Sequence, residues 1–382
     1  MRFNTLYLAT DGEYELLYPK IVFFLVGALA STSPLMASER MLREQVQSEA
    51  MAVFAPLPNV ETVLDELGYS SDMVDLGRHL FFDNRVSLGQ DISCASCHAF
   101  DAGGSDARKT SIGHKGALGG RNAPTVLNAV FNIEQFWDGR ANDLAEQAKG
   151  PVENPIEMAN HRDNLIQTLA EIPGYVERFS AAFPDANNPI TFDNFAHAIA
   201  AFEATLITPT RFDEFLLGRQ EALELDEIVG LRIFLDTGCM ECHNGLNLGG
   251  NNYQYFGAVK DPSEKYMPRD DLGVAAVTGD PSDKYLFRVP SLRNVALSGP
   301  YFHSGAASTL TEAVQVMANV QLGARLDDQD VELIIAFLET LSGVPEGITA
   351  PVPLQKPQPV PEIAIDPETA QNATLAAREP AG

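Results

Sequence analysis

Cysteine, tryptophan and positive charge are all scarce in this sequence. Among 382 residues there are four cysteines, one tryptophan and seven histidines, and 26 basic residues face 52 acidic ones, for a formal net charge of -26 at pH 7. Such an excess of negative charge keeps a chain soluble and repels nucleic acid and anionic membranes. It favours small neutral substrates or basic protein partners. Long apolar runs are also missing: Ile21 to Ala30 is too short for a comfortable transmembrane span. No alternating strand pattern and no βαβ series can be found. What remains is 45% hydrophobic residues, enough for real cores in a chain long enough for two domains.

The ends read as non-globular. Lys20, the apolar run after it and the small residues from Ser31 to Ala37 make an export signal over residues 1–37, with cleavage after Ala37 or retention as a signal anchor. Glu13 and Glu15 are foreign to such a signal and point to a start codon placed too early. Prolines crowd Pro345 to Pro361, so residues 346–382 are expected to form a mobile tail.

Between the ends, apolar residues recur at helical spacing. Met73, Leu76 and Leu80 share one face, and Thr191 is placed to cap a helix carrying Phe195, Ala198, Phe202 and Leu206. Ile228, Leu231 and Leu235 mark another helix that stops at Gly238. Thr309 and Glu312 have capping-box spacing, and Val331 to Leu341 closes the series. The expected class is mainly α, with long loops rich in glycine and proline.

The four cysteines form two close pairs with none left over. Each pair is followed by histidine, as Cys94-Ala-Ser-Cys97-His98 and Cys239-Met-Glu-Cys242-His243. C-x-x-C-H is the attachment sequence of c-type haem. Two cysteines one turn apart can form thioethers to the two vinyl groups of one porphyrin, and the next histidine gives a nitrogen to the iron. A zinc shared by both pairs would need a very long gap between Cys97 and Cys239, and it would leave both histidines without a purpose. A redox dithiol would need a thioredoxin-like context that is missing. Two covalent haems, attached outside the cytoplasm, are the expectation.

Each iron has a second axial position. His114 lies among Gly103, Gly104, Gly113, Gly116, Gly119 and Gly120, where a ligand could bind in one state and leave in another. Met317 is a candidate for the second haem, although a lone methionine also serves as core filler. His79, His161 and His197 are expected not to bind iron.

Residues 60–345 resemble the bacterial diheme cytochrome c peroxidases. The matching stretches are Leu76-Gly-Arg-His-Leu-Phe-Phe82, Ile92 to His98, Gly120-Arg-Asn-Ala-Pro-Thr125, Gln135-Phe-Trp-Asp-Gly-Arg140 and Asn154-Pro-Ile-Glu-Met158. Further along come Arg211-Phe-Asp213, Leu292-Arg-Asn294, Pro300-Tyr-Phe-His303 and Met317. The resemblance implies two cytochrome c-like haem domains, here 38–207 and 208–345. The N-terminal haem would be peroxidatic, with His98 proximal and His114 a removable distal ligand. The C-terminal haem, bound by His243 and Met317, would accept electrons. Trp137 would sit between the haems, Glu157 would shuttle the proton, and Gln147 would orient peroxide. The resemblance further implies calcium at Asn122 and at the carbonyls of Ser298 and Pro300, with Ser298 replacing a more usual threonine. It implies hydrogen peroxide as substrate and a small c-type cytochrome or blue copper protein as donor, in the periplasm, with the enzyme a homodimer. A pure electron carrier is the alternative, as is a diheme oxidase of the kind that matures methylamine dehydrogenase. That oxidase has tyrosine where this chain has Met317.

Overall fold

The computed structural model describes residues 34–345 and 347–355. Most of the expected export segment (1–33) and most of the expected tail (356–382) therefore lie outside the described residues.

The helices begin where capping chemistry places them. In the first half they are α1 (Pro34–Val53), α2 (Val60–Leu67), α3 (Ser71–Phe81), the short α4 (Cys94–Cys97), α5 (Leu144–Glu153), α6 (Arg162–Ala170), α7 (Pro173–Ala182) and α8 (Phe192–Glu203). The second half holds α9 (Arg211–Leu216), α10 (Leu225–Thr237), α11 (Ala275–Thr278), α12 (Leu310–Leu322) and α13 (Asp328–Glu339). The Thr191 side chain accepts from the Asn194 amide at 3.1 Å, and that of Thr309 accepts from the Glu312 amide at 3.1 Å. Gly238 ends α10 in the left-handed conformation, as its position after Leu235 suggested. Among the described residues, one small sheet pairs β1 (Tyr253–Tyr255) antiparallel with β2 (Leu286–Arg288), with Tyr253 opposite Arg288.

Two large apolar cores result, beside a small cluster of Val63, Ala204 and Ile207. In the first, Leu76, Leu80 and Phe81 of α3 pack on Phe195, Ile199 and Phe202 of α8, with the rings of Phe81 and Phe202 meeting edge-on at 5.1 Å. In the second, Leu231, Phe234 and Leu235 of α10 pack on Ile334, Phe337 and Leu338 of α13, and Phe234 meets Phe337 at 5.3 Å. Each fully buried side chain of this size contributes roughly 1.5–3 kcal/mol. The two crossings share a device. A Cβ on Gly77 would stand 1.8 Å from the Ala198 carbonyl oxygen, and one on Gly230 would stand 1.9 Å from that of Leu333. Only glycine allows helices this close.

Two features depart from the sequence expectation. Residues 38–54, assigned to the N-terminal unit, pack on the second core instead: Val46, Ala50 and Phe54 belong to it, and Arg43 Nη1 donates to the Leu223 carbonyl at 2.6 Å. The apolar face of α1 finds its partner in α10 rather than in the helix next in sequence. The first residues of the proline-rich tail are also docked. Ile348 and Leu354 pack against the first core, and Arg85 Nη1 donates to the Leu354 carbonyl at 2.8 Å. Proline richness there favours an extended strap, not a free end. Leu206 lies beyond the end of α8, yet it is fully buried.

Polar groups join the halves. Asn128 Nδ2 and Asn294 Nδ2 both donate to the Thr208 hydroxyl, at 2.7 and 2.8 Å. Within the second half, Arg293, fully buried, makes a two-pronged pair with Asp213 at 2.8 and 2.9 Å, and its Nε donates to the Leu246 carbonyl. Arg121 bridges Asp138 and Asp271, each at 2.6 Å. Among the described residues, no helix is long and apolar enough to cross a membrane.

Candidate functional site

Each C-x-x-C-H motif opens onto its own cavity. Cys94, Cys97 and His98 line one of about 370 Å³, and Cys239, Cys242 and His243 line another of about 220 Å³. The separation of the pairs removes a shared zinc site. Burial also pushes all four thiols up, Cys239 to about 12, so none is the reactive thiolate that dithiol exchange needs.

The histidines are set up for metal. His98 Nδ1 lies 3.0 Å from the Gly104 carbonyl, and His243 Nδ1 lies 3.2 Å from that of Leu248. A carbonyl only accepts, so Nδ1 carries the proton and Nε2 keeps its lone pair free. Burial lowers both imidazoles, His243 to about 4, and holds them in the neutral form that binds iron. The His98 acceptor comes from a turn in which Gly103 and Gly104 both have positive φ.

The two cavities differ in chemistry. The C-terminal one is mainly apolar, lined by Phe234, Val289, Leu310, Val314, Leu322 and Leu338 among others, and α12 brings Met317 to its wall. The N-terminal one carries ionisable and amide side chains: Arg140, Gln147, Glu157 and Glu203. Glu157 follows a turn in which the Asn154 amide donates to its Oε1 at 2.9 Å. Burial raises its carboxyl, and Arg140 and Asn154 oppose the rise in part. The Arg140 guanidinium stacks over Phe136 at 3.5 Å, in the same wall.

Trp137 lines both cavities. Its Nε1 donates to the Asn122 carbonyl at 2.9 Å, and its own carbonyl accepts from the Arg288 amide at 2.9 Å. Asn122, Ser298 and Pro300 lie together in the wall of the C-terminal cavity; Asn122 Nδ2 donates to the Arg108 carbonyl, which leaves its Oδ1 for another partner. His114 is placed differently. Ser111, Gly113, Gly119 and Gly120 of its loop reach the N-terminal cavity, whereas His114 sits in a short turn behind them. Its Nδ1 is buried without a partner among the described residues. Of the histidines expected to be uninvolved, His79 bonds the Asp75 carbonyl, His161 caps α6 and His197 is exposed.

Sequence reasoning passed over two residues. Arg288 is buried, lines both cavities, and has an Nη1 without a partner among the described residues. Burial depresses its guanidinium to about 10. A buried cation facing two cavities calls for an anion, and the carboxylates of two haems supply that chemistry. The residues present therefore fit the cofactor. His303 lines the C-terminal cavity, stacks on Phe287 at 4.1 Å and stands edge-on to Trp137 at 6.2 Å, with its Nε2 also unpartnered among the described residues. Its place in the Pro300-Tyr-Phe-His303 stretch was the one available signal; for Arg288 there was none.

Comparison with known proteins agrees with this architecture. The family model for di-haem cytochrome c peroxidase matches residues 71–221, and that for cytochrome c matches 229–342. The chain is 49% identical over 310 residues to the cytochrome c551 peroxidase of Pseudomonas aeruginosa, covering 81% of this chain and 90% of that protein. The chain belongs to the bacterial di-haem cytochrome c peroxidases. It is also 45% identical to the cytochrome c551 peroxidase of Nitrosomonas europaea, over 79% of this chain and 88% of that protein. Among solved structures, a MauG-like protein associated with microbial copper homeostasis superposes with a TM-score of 0.64 at 27% identity, covering 76% of this chain and 93% of that one. The protein is thus a mainly helical, two-domain peroxidase carrying two haem c groups, with hydrogen peroxide as its substrate.

Proposed function

We propose that peroxide is reduced in the N-terminal cavity with electrons that arrive through the C-terminal haem. The observation that carries this is the asymmetry of the cavities: only the N-terminal one offers Glu157 with Gln147 and Arg140, whereas the other is mainly apolar and offers Met317. A haem held by His98 would supply the iron chemistry that reduces peroxide. Glu157 would take a proton from the bound peroxide and return it to the departing oxygen. Its raised carboxyl suits that two-way task at neutral pH. Gln147 orients the substrate, and the Arg140 cation favours the anionic form of Glu157. The balance is hydrogen peroxide plus two electrons and two protons giving two waters.

Met317 would help to hold the haem attached at Cys239 and Cys242, and a thioether ligand would favour ferrous iron there. Trp137, in the wall common to both cavities, carries electrons between them. His114 would serve as a removable ligand held ready for the N-terminal haem in the resting oxidised state, with the 103–120 loop as the moving element. Calcium binds Asn122 Oδ1 with the carbonyls of Ser298 and Pro300, an all-oxygen set suited to a hard cation. The donor is a small c-type cytochrome or blue copper protein, and the enzyme is a periplasmic homodimer.

The test is stopped-flow mixing of peroxide with fully oxidised and half-reduced holoprotein. Rapid reaction of the half-reduced form alone supports the gated reading. Equal rapidity of the oxidised form would mean a constitutively open iron.

A further inference from the structure

One ionisable group in the N-terminal cavity has no part in the steps above. Glu203, the last residue of α8, is 5% exposed and lines the cavity that holds Cys94, Cys97 and His98. No hydrogen bond or ion pair reaches its carboxyl group among the described residues. The side chain before it on the same face, Ile199, is apolar, and so are the core residues around it. An acid placed so deep without a partner costs more than the apolar residue it displaces, unless the ligand in that cavity makes use of it.

The cations that line the same cavity make no ion pair with Glu203 among the described residues: Arg140 pairs with Asp138, Arg121 bridges Asp138 and Asp271, and Arg288 Nε donates to the Phe136 carbonyl. The groups its charge reaches are Cys94, on α4, and the Tyr69 phenol, ahead of α3, which also feels Asp143. Once Cys94 is a thioether it no longer titrates. On the helices packed against α8, the other charges are engaged elsewhere or sit apart. Lys149 of α5 pairs with Asp193 at the opposite end of α8, and Glu153 pairs with Arg162 of α6. Glu146 accepts from the Asn142 amide, while Asp163 lies beside His161. On α3, Asp75 pairs with Arg178 and accepts His79 through its carbonyl, and Arg78 keeps a buried Nε without an acceptor among the described residues. Burial alone pushes the Glu203 carboxyl up to about 8, so it is a neutral acid at pH 7 until something positive faces it.

We propose that Glu203 is the redox-linked proton site of the N-terminal haem, binding a proton when that haem gains an electron and releasing it on reoxidation. This rests on haem being attached at Cys94 and Cys97. The step balances as ferric iron plus an electron from the second haem, with the Glu203 carboxylate and a proton, giving ferrous iron and the Glu203 carboxylic acid. The physical reason is Coulombic. A ferric haem carries one more positive charge than a ferrous one and favours the carboxylate; in a cavity of low dielectric that difference is large. Glu203 is thus a positioning residue for charge. It touches no reacting atom and leaves the proton shuttle to Glu157.

The experiment is a spectroelectrochemical titration of the N-terminal haem across pH, with infrared difference spectra, on wild-type holoprotein, Glu203→Gln and Glu203→Asp. Haem content of each is measured separately, so loss of a haem is not mistaken for loss of the proton site. Wild type should show a potential that falls as pH rises and a carboxylic acid band that appears on reduction. Glu203→Gln should retain both haems, lose that band and flatten the pH dependence. Glu203→Asp, still an acid, should keep both signatures with a shifted midpoint. An unchanged slope and band in Glu203→Gln would overturn the proposal. If Glu203→Gln fails to hold haem, absence of the wild-type reduction-linked band, or its loss in Glu203→Asp, would overturn it too.

Discussion

The backbone amide of His114 donates to the backbone carbonyl of Glu157 at 2.7 Å. The residue proposed to leave the iron and the residue proposed to move the proton are therefore tied main chain to main chain, across 43 positions of sequence. Any movement of the 103–120 loop would be carried to the turn that presents the carboxylate, where Asn154 also holds Glu157 Oε1. Opening the iron and setting the acid-base group would then be one event.

Glu157→Gln should keep both haems and lose about a hundred- to ten-thousand-fold in turnover, since glutamine fills the space but cannot accept and return a proton. The pH profile gives a second reading. Glu157 must be ionised to take its proton, and burial raises its carboxyl above the ordinary carboxylate value. Activity should therefore decline on acidification through a midpoint above that value, and the variant should lack this acid limb. Steady-state rates across pH check both, and turnover within a few-fold of wild type would remove Glu157 from the mechanism.

Arg288→Met removes a buried cation that lines both cavities while keeping the length of the side chain. A positive charge near iron favours the reduced state, so both midpoint potentials should fall. Redox titration with both haems still attached is the check; two unmoved potentials would mean that the guanidinium is screened from the haems.

Met317→His should lower the potential of the C-terminal haem and slow its reduction by donor, because imidazole favours ferric iron more than a thioether does. His303 lines the same cavity, so the same titration on His303→Gln distinguishes the two ligands. Only Met317→His should shift the spectrum of a thioether-bound haem. The reverse outcome would reassign the ligand to His303.

His114→Gly should leave the N-terminal haem reactive toward peroxide without prior reduction and remove the low-spin bis-histidine signal of the oxidised protein. Electron paramagnetic resonance together with stopped-flow mixing reads both effects. Two low-spin haems in the variant would take His114 out of the coordination sphere.

Where chemistry is local, the sequence was readable. The caps at Thr191, Thr309 and Gly238 need only neighbouring residues, and C-x-x-C-H carries its geometry in its own spacing. Long-range packing was not legible. The apolar stripe of α1 says that it is buried, but nothing in it says that Val46 and Phe54 meet Leu231 and Phe234 far downstream. Proline enrichment after Val344 looked like disorder because periodicity has no sign for an extended strap that docks through Leu354. Glu157 required a family resemblance, since a glutamate in a loop has the same appearance whether solvated or buried. Arg288 and Glu203 acquire meaning only when a cavity is seen to form around them.

The most direct measurement is a single turnover by the fully reduced holoprotein, with the absorption of each haem followed as peroxide is added. Two reduced irons hold the two electrons that one peroxide needs. The account predicts that one equivalent of peroxide oxidises both haems, that the C-terminal haem empties through the N-terminal one, and that Glu157→Gln slows the reaction without changing its stoichiometry. Oxidation of the C-terminal haem at an undiminished rate in a variant whose N-terminal haem is blocked, or no consumption of peroxide at all, would contradict it.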